Sequence, residues 1–211
     1  MPPSLSRKRL KLLLPLAGVF TFLLLSIPTG KAAEIALTRQ ELAGSTPHIS
    51  VIALIISGQI VNGDAKKVEA LLSERKRTDE IHTIRRLLIH SPGGLVGEAM
   101  EIGRLVRKND FEVFIPKQLT CISACVLILA GGTTRTVVGQ VGLHHPLFLR
   151  NPGPGDDVPA LMSETKKMIR EYLSSMGIAD NLADAMFSVP DGNVRFLSQD
   201  ELFRYGLTES N

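Results

Sequence analysis

The chain has 211 residues, of which 44% are hydrophobic and 21% are charged, a composition typical of one globular domain. It holds no tryptophan and only two tyrosines, which argues against a surface that stacks bases or sugar rings. The formal charge of +3 arises from the N-terminal segment 1–33, which carries five basic residues and no acid, so that acidic residues outnumber basic ones in the remainder. This balance gives no basis for nucleic-acid binding.

The segment 1–33 has the composition of a secretory signal. Basic residues at 7–11 precede an apolar run at 12–27. Gly30 and Ala32 are the small residues that a signal peptidase needs at positions −3 and −1, so we expect cleavage after Ala32. An uncleaved membrane tether through 12–27 is the alternative, although a spanning helix needs about 20 apolar residues. Both alternatives place the remainder outside the cytoplasm, either secreted or periplasmic, or anchored to an inner membrane.

Strands and helices alternate along most of the chain. Residues 34–48 are predicted to be a linker, and residues 49–211 to form one domain. The predicted strands are 49–57, 84–89, 111–115, 134–138 and 141–144, and the predicted helices are 64–77, 95–108, 158–176, 178–187 and 198–205. Strand 49–57 is apolar on both faces, which indicates a strand covered on both sides. The alternation predicts an α/β fold with right-handed crossovers and a mainly parallel sheet.

The sequence Ser91-Pro-Gly-Gly94 joins a predicted strand to a predicted helix. Proline favours an extended residue before it, and the two glycines allow a sharp turn and close backbone approach. Backbone amides at the start of the following helix attract negative charge, which suits an oxyanion hole. An ordinary strand-to-helix turn is the alternative interpretation.

Ser123 stands among small residues before the apolar run 126–130, and His144 follows further along the chain at a predicted strand end. A serine hydroxyl becomes a nucleophile when a base takes its proton, and imidazole is the usual base. Each residue alone also has a structural explanation. Serine often caps a helix, and His144-His145 is equally consistent with a structural pair.

Two cysteines, Cys121 and Cys125, flank Ser123. In an oxidising compartment they can form a disulfide, although their spacing on a regular helix brings them near the limit of disulfide geometry. The alternative is a pair of small buried thiols that pack beneath the serine. The spacing lacks the further ligands of a zinc site, so neither a metal nor another cofactor is expected.

Taken in order, these motifs resemble the proteolytic subunit of the Clp protease, within the Clp/crotonase superfamily. The resemblance covers roughly residues 49–207 and includes Arg195-Phe-Leu-Ser198 and Tyr205-Gly-Leu207 near the end. The signal and the Cys-x-Ser-x-Cys motif resemble a secreted branch more than the cytosolic protease. The resemblance implies a Clp/crotonase-like β-α-β superhelical fold with C-terminal helices, and assembly of copies through helix 158–176.

By position, the resemblance implies that Ser123 is the nucleophile. It implies that His144 is the base, because the family's catalytic histidine precedes one residue and then a proline, here Pro146. The amides of Gly94 and Ala124 would then form the oxyanion hole.

The third member of the triad departs from the family pattern, because no acid falls at the matching offset. Asp191 is the candidate, with Asp184 or Ser188 as alternatives for orienting the imidazole. Asp191 is also placed to cap a turn before Gly192. A Ser-His dyad with a substitute orienting group is therefore the expectation, since loss of the acid lowers the rate of other triads without abolishing catalysis.

The sequence therefore predicts an extracytoplasmic serine hydrolase, specifically a peptidase that acts on peptide or protein substrates without a cofactor. A non-catalytic binding or scaffold protein on the same fold is the alternative, and the missing acid favours it. Acyl-thioester chemistry of the crotonase kind is disfavoured, because a coenzyme pool is not expected outside the cytoplasm.

Overall fold

The computed structural model describes residues 31–42, 49–73, 83–146 and 153–209. The strands in these ranges are β1 Glu34–Leu42, β2 Ile49–Ser57, β3 Thr83–His90, β4 Glu112–Ile115, β5 Thr120–Ile122, β6 Arg135–Val137, β7 Gln140–Leu143 and β8 Arg195–Phe196. The helices are α1 Asp64–Ser73, α2 Val96–Lys108, α3 Cys125–Ala130, α4 Val158–Ser175, α5 Asn181–Phe187 and α6 Gln199–Tyr205.

Two sheets organise the described residues. The larger has the order β1-β2-β3-β4-β6, in which β1 is antiparallel to β2 and the other neighbours are parallel. The smaller has the order β5-β7-β8, with β5 parallel to β7 and β8 antiparallel to it. Helices α1 and α2 lie in the crossovers, and α4 to α6 follow β7, with β8 between α5 and α6. This arrangement confirms the predicted α/β class with a mainly parallel sheet.

The prediction of a linker at residues 34–48 is wrong for its first part. Its first part forms β1, which pairs along its whole length with β2, from Glu34 opposite Ser57 onward. Ile35 and Leu37 pack against the core, while Glu34, Ala36 and Thr38, which alternate with them, are polar or small. So short an alternation carries little signal on its own, and the strand is fixed by pairing with β2. Residues 43–48 lie outside the described part of the chain.

Other predicted elements agree closely with the structure. Strand 49–57 matches β2, and the predicted helix 198–205 matches α6, which opens with the capping box of Ser198 and Glu201. Helix 178–187 begins later than predicted, at Asn181. Strands β5 and β8 were not predicted, because such short strands are too brief for a periodic pattern.

Helices α2 and α3 approach each other at two glycines. A Cβ on Gly131 would overlap the backbone of Gly103, so the close contact requires glycine. The Tyr172 hydroxyl of α4 lies over Gly103 and donates a 2.7 Å hydrogen bond to the Leu127 carbonyl. Burial of this ring raises the pKa of Tyr172. The hydroxyl thus fastens α4 to the apolar helix that follows Ser123.

Two arginines bind the C-terminal end of α3. Arg107 donates to the carbonyls of Ala130 and Gly131, and Arg135 donates to those of Ala130 and Gly206. Positive charge is favourable at this end of a helix. Burial, followed by the charge of Arg107, lowers the pKa of Arg135. The pair ties the short helix to the C-terminal segment.

Within the described ranges, the helices are too short or too polar to cross a bilayer. The apolar run 12–27, predicted to be a signal or tether, lies outside those ranges.

Replacement of Tyr172 by phenylalanine is expected to lower the free energy of unfolding by about 1–2 kcal/mol. The change removes one buried hydrogen-bond donor and keeps the ring. Urea unfolding followed by circular dichroism measures the difference, and an unchanged unfolding midpoint would show that the Leu127 contact contributes nothing.

Candidate active site

Ser123 occupies a sharp turn between β5 and α3. Its φ is +59°, a left-handed conformation that is unusual for a residue with a side chain. Its N–H donates to the Gly142 carbonyl at 2.9 Å, and its carbonyl accepts from the Val126 N–H at 3.0 Å. Such a turn projects the side chain away from both elements, as in the strand-to-helix turns that carry nucleophilic serines in hydrolases. Among the described residues, the Ser123 hydroxyl has no hydrogen-bond partner and is partly exposed.

The Ser91-Pro-Gly-Gly94 turn lies directly against the serine turn. The Ser91 carbonyl accepts from the Ile122 N–H at 2.9 Å, which aligns the two segments. A Cβ on Gly93 would lie 2.7 Å from the Ser123 Cβ and 3.0 Å from the Ala124 nitrogen. Gly93 also has a φ of +99°, which side chains rarely adopt. Glycine is therefore required at this position on two independent grounds.

Ser91 itself was not predicted to have a role beyond its extended backbone. Its side chain is fully buried, donates a 2.6 Å hydrogen bond to the Gly58 carbonyl and accepts a 3.0 Å bond from the Gly93 N–H. These bonds fix the turn to the end of β2. Its position directly before a proline and two glycines is the sequence signal that indicates such a turn residue.

Two backbone amides beside the serine have no acceptor in the described part of the chain. Among the described residues, the N–H groups of Gly94 and Ala124 donate no hydrogen bond, whereas those of Gly93, Leu95 and Ser123 do. An unpaired amide costs free energy wherever water is excluded, and the Ala124 residue is 1% exposed. Both donors are therefore available to an oxygen atom that carries negative charge. They are the two amides that the family resemblance implies for an oxyanion hole.

Cys121 and Cys125 form a disulfide in the structure, with a sulfur–sulfur distance of 2.05 Å and a Cα–Cα distance of 5.3 Å. Both residues are fully buried. The sequence left the disulfide and the two free thiols as alternatives. Within the described ranges, no three His, Cys, Asp or Glu side chains are grouped as metal ligands.

Asp191 lies beside His145. Its Oδ1 is 3.5 Å from the His145 Nδ1, which is within range of an ion pair but long for a hydrogen bond. The Nδ1 atom is buried and has no hydrogen-bond partner among the described residues. The imidazole also packs edge-on against Phe187, with ring centroids 5.2 Å apart. Asp191 is 87% exposed, so a small rotation of its side chain changes this contact.

His144 has no hydrogen bond or ion pair within the described part of the chain. The residues before it alternate between two faces of β7. A Cβ on Gly142 would lie 2.7 Å from a Val194 methyl and 3.3 Å from the Phe196 ring, both exposed residues, whereas Leu143 is fully buried. β7 ends at Leu143, and His144, which follows the strand, is partly exposed.

The two alternatives to Asp191 have other partners. The Asp184 carboxylate lies on the surface of α5, where it binds Lys166 and Arg170 at 2.8 Å each. The Lys166 hydrogen bond is the main reason that the pKa of Asp184 is lowered. The Ser188 hydroxyl donates to the Ala185 carbonyl at 2.8 Å. Neither group contacts a histidine among the described residues.

Comparison with known proteins gives matches in structure alone. No family model matches the chain, and no curated protein matches its sequence. One similar solved structure is a serine-to-alanine mutant of the 1510-N membrane-bound stomatin-specific protease, 16% identical, with a TM-score of 0.57 over 75% of this chain and 76% of that one. Another is a lysine-to-alanine mutant of the same protease in complex with a substrate peptide, 18% identical, with a TM-score of 0.57 over 75% and 72%. The likeness confirms the predicted Clp/crotonase-like fold.

Replacement of Gly93 by alanine is expected to destabilise the protein by about 2–5 kcal/mol. The added Cβ would overlap neighbouring atoms, and alanine would also be strained at the positive φ of this position. Gly63→Ala is the matched control, since Gly63 has a φ of +89° and open space around its Cα. The control isolates the backbone cost of about 1–2 kcal/mol. Urea unfolding of the two variants measures the difference, and equal losses would show that the contact with Ser123 is unimportant.

Proposed function

We propose that this chain is an extracytoplasmic serine hydrolase of the peptidase class. The observation that carries the proposal is the left-handed Ser123 beside two amides, Gly94 and Ala124, that have no acceptor among the described residues. In this mechanism the Ser123 hydroxyl attacks the substrate carbonyl and a histidine takes its proton. The two amides bind the oxyanion of the tetrahedral intermediate, which lowers such barriers by about 3–4 kcal/mol. The histidine then protonates the leaving amine, and water releases the acyl group.

His144 is the base in this proposal. Two observations support it: the Ser123 N–H donates to the carbonyl of Gly142, two residues before His144, and His144 is partly exposed. His145 then has a supporting role, in which its ring packs on Phe187 and holds the end of β7.

A peptide is the proposed substrate. One similar structure, a protease, was solved in complex with a substrate peptide. In this chain, Val194 and Phe196 are more than two-fifths exposed and lie next to Ile122, the residue that precedes the serine. Apolar side chains at that position suit contact with the side chains of a peptide.

A binding protein on the same fold is the second candidate. The observation that favours it is the position of Asp191, whose carboxylate accompanies His145, while no described carboxylate contacts His144. A histidine without an orienting acid is a weaker base than one in a complete triad.

A fluorophosphonate probe, which reacts with activated serines, tests the mechanism on the purified mature protein. We expect the parent to be labelled and Ser123→Ala to be unlabelled. His144→Ala is expected to lower the labelling rate by about 10²–10⁴, the usual contribution of a general base. The labelling rates of His145→Ala and Asp191→Asn are expected to stay within about tenfold of the parent's rate, because these residues affect only the position of the end of β7.

Other results would redirect the proposal. Loss of labelling in His145→Ala with labelling retained in His144→Ala would assign the base to His145 and its acid to Asp191. A parent that is not labelled, or Ser123→Ala labelled as strongly as the parent, would contradict the hydrolase and leave the binding protein.

Export is part of the same proposal, and it is tested by fractionation of cells that express the full chain. We expect the protein in the periplasmic or secreted fraction, with Ala33 at its N-terminus by mass spectrometry. Recovery of the full-length chain in the membrane fraction would support the uncleaved tether through 12–27. Recovery of the full-length chain in the cytoplasm would contradict export in either form.

A further inference from the structure

We infer that the Cys121–Cys125 disulfide positions the nucleophile, by holding together the two arms of the turn that carries Ser123. The inference rests on the proposed function for the role of Ser123, but its structural part is independent of catalysis. One arm is the end of β5 and the other is the first turn of α3, and Ser123 is at the midpoint between the two cysteines.

The backbone of this turn needs support. A left-handed residue with a Cβ is less stable than a right-handed one, so Ser123 relaxes unless its surroundings prevent it. The main-chain hydrogen bonds of this turn are made with other segments of the protein. Ile122 is bonded to Ser91 and Ser123 to Gly142, and among the described residues no main-chain bond joins 120–122 to 124–126. The disulfide is the direct connection between the arms.

Loop length argues for a local role of this disulfide. A disulfide stabilises a protein by restricting its unfolded chain, and this effect grows with the length of the closed loop. Cys121 and Cys125 are separated by only four positions, so the general effect is near its minimum. The remaining contribution is geometric, because the bridge fixes the Cα atoms of Cys121 and Cys125 5.3 Å apart.

Burial makes the bridge a permanent part of the site. Both cysteines are 0% exposed, and the residues that follow in α3 are buried as well. A thiolate must reach a sulfur atom to open a disulfide, so the folded protein shields this one from exchange. The bridge therefore acts on the geometry of the active protein and is not a switch.

The test compares the full mature chain with two disulfide-free variants, Cys121→Ala/Cys125→Ala and the better-filled Cys121→Val/Cys125→Ala. A third variant, Leu54→Ala, removes buried volume from the middle of β2 and controls for lost stability alone. Two quantities are measured at a temperature at which each variant is folded. They are the rate of fluorophosphonate labelling and the hydrogen exchange of the Ser123 amide, which is bonded to Gly142 in the parent.

We expect both disulfide-free variants to be labelled at least tenfold more slowly than the parent. We also expect their Ser123 amide to lose at least tenfold protection, relative to the amides of β2 and β3. Leu54→Ala is expected to melt at a lower temperature with labelling and Ser123 protection unchanged.

The inference is overturned if the disulfide-free variants retain the parent's labelling rate and Ser123 protection. It is also overturned if Leu54→Ala slows labelling as much as they do, because lost stability then explains the effect. If the parent itself is unlabelled, the proposed function fails, and exchange at Ser123 still decides whether the disulfide holds the turn. If both disulfide-free variants fail to fold at every temperature while Leu54→Ala folds, the role is general stabilisation and the inference is wrong.

Discussion

The site depends on the contact between two tight turns, one at Gly93 and one at Ser123. The space between them is less than a methyl group needs, since a Cβ on Gly93 would lie 2.7 Å from the Ser123 Cβ. Each turn is held by a different sheet, because Ser91 is bonded to the end of β2 and Ser123 to β7. The contact therefore joins the two sheets where, among the described residues, two amides without acceptors lie beside a hydroxyl without a partner.

Much of this arrangement could be predicted because the turns are encoded locally. Proline and glycine restrict or release the backbone within two or three residues, so Ser91-Pro-Gly-Gly94 indicates its turn without knowledge of the fold. The buried strand β2 and the capping box of α6 follow from short patterns in the same way. The positions of Ser123, Gly94 and Ala124 relative to these elements follow from the same local patterns, and their roles stay predictions.

The remaining features depend on contacts between distant segments. The strand β1 forms because β2 offers it a partner, and the short alternation in its own sequence carries too little signal to separate it from a linker. The contact of Asp191 with His145 depends on how α5 and the end of β7 pack, which adjacent histidines in a sequence do not reveal. The disulfide depended on the conformation of Ser123, because a regular helix would have placed the cysteines less favourably than this left-handed turn does.

The strand β1 limits how far the domain can lie from a membrane that holds its N-terminal segment. Lys31 is already bound to the fold, since its carbonyl accepts from the Gln59 N–H, so the predicted linker does not separate the domain from the apolar run 12–27. If that run remains in a bilayer, the connecting residues 28–30 span at most about 10 Å even when fully extended. A tethered molecule would then be confined to the layer of lipid headgroups, and the peptides within its reach would be those that emerge from the membrane.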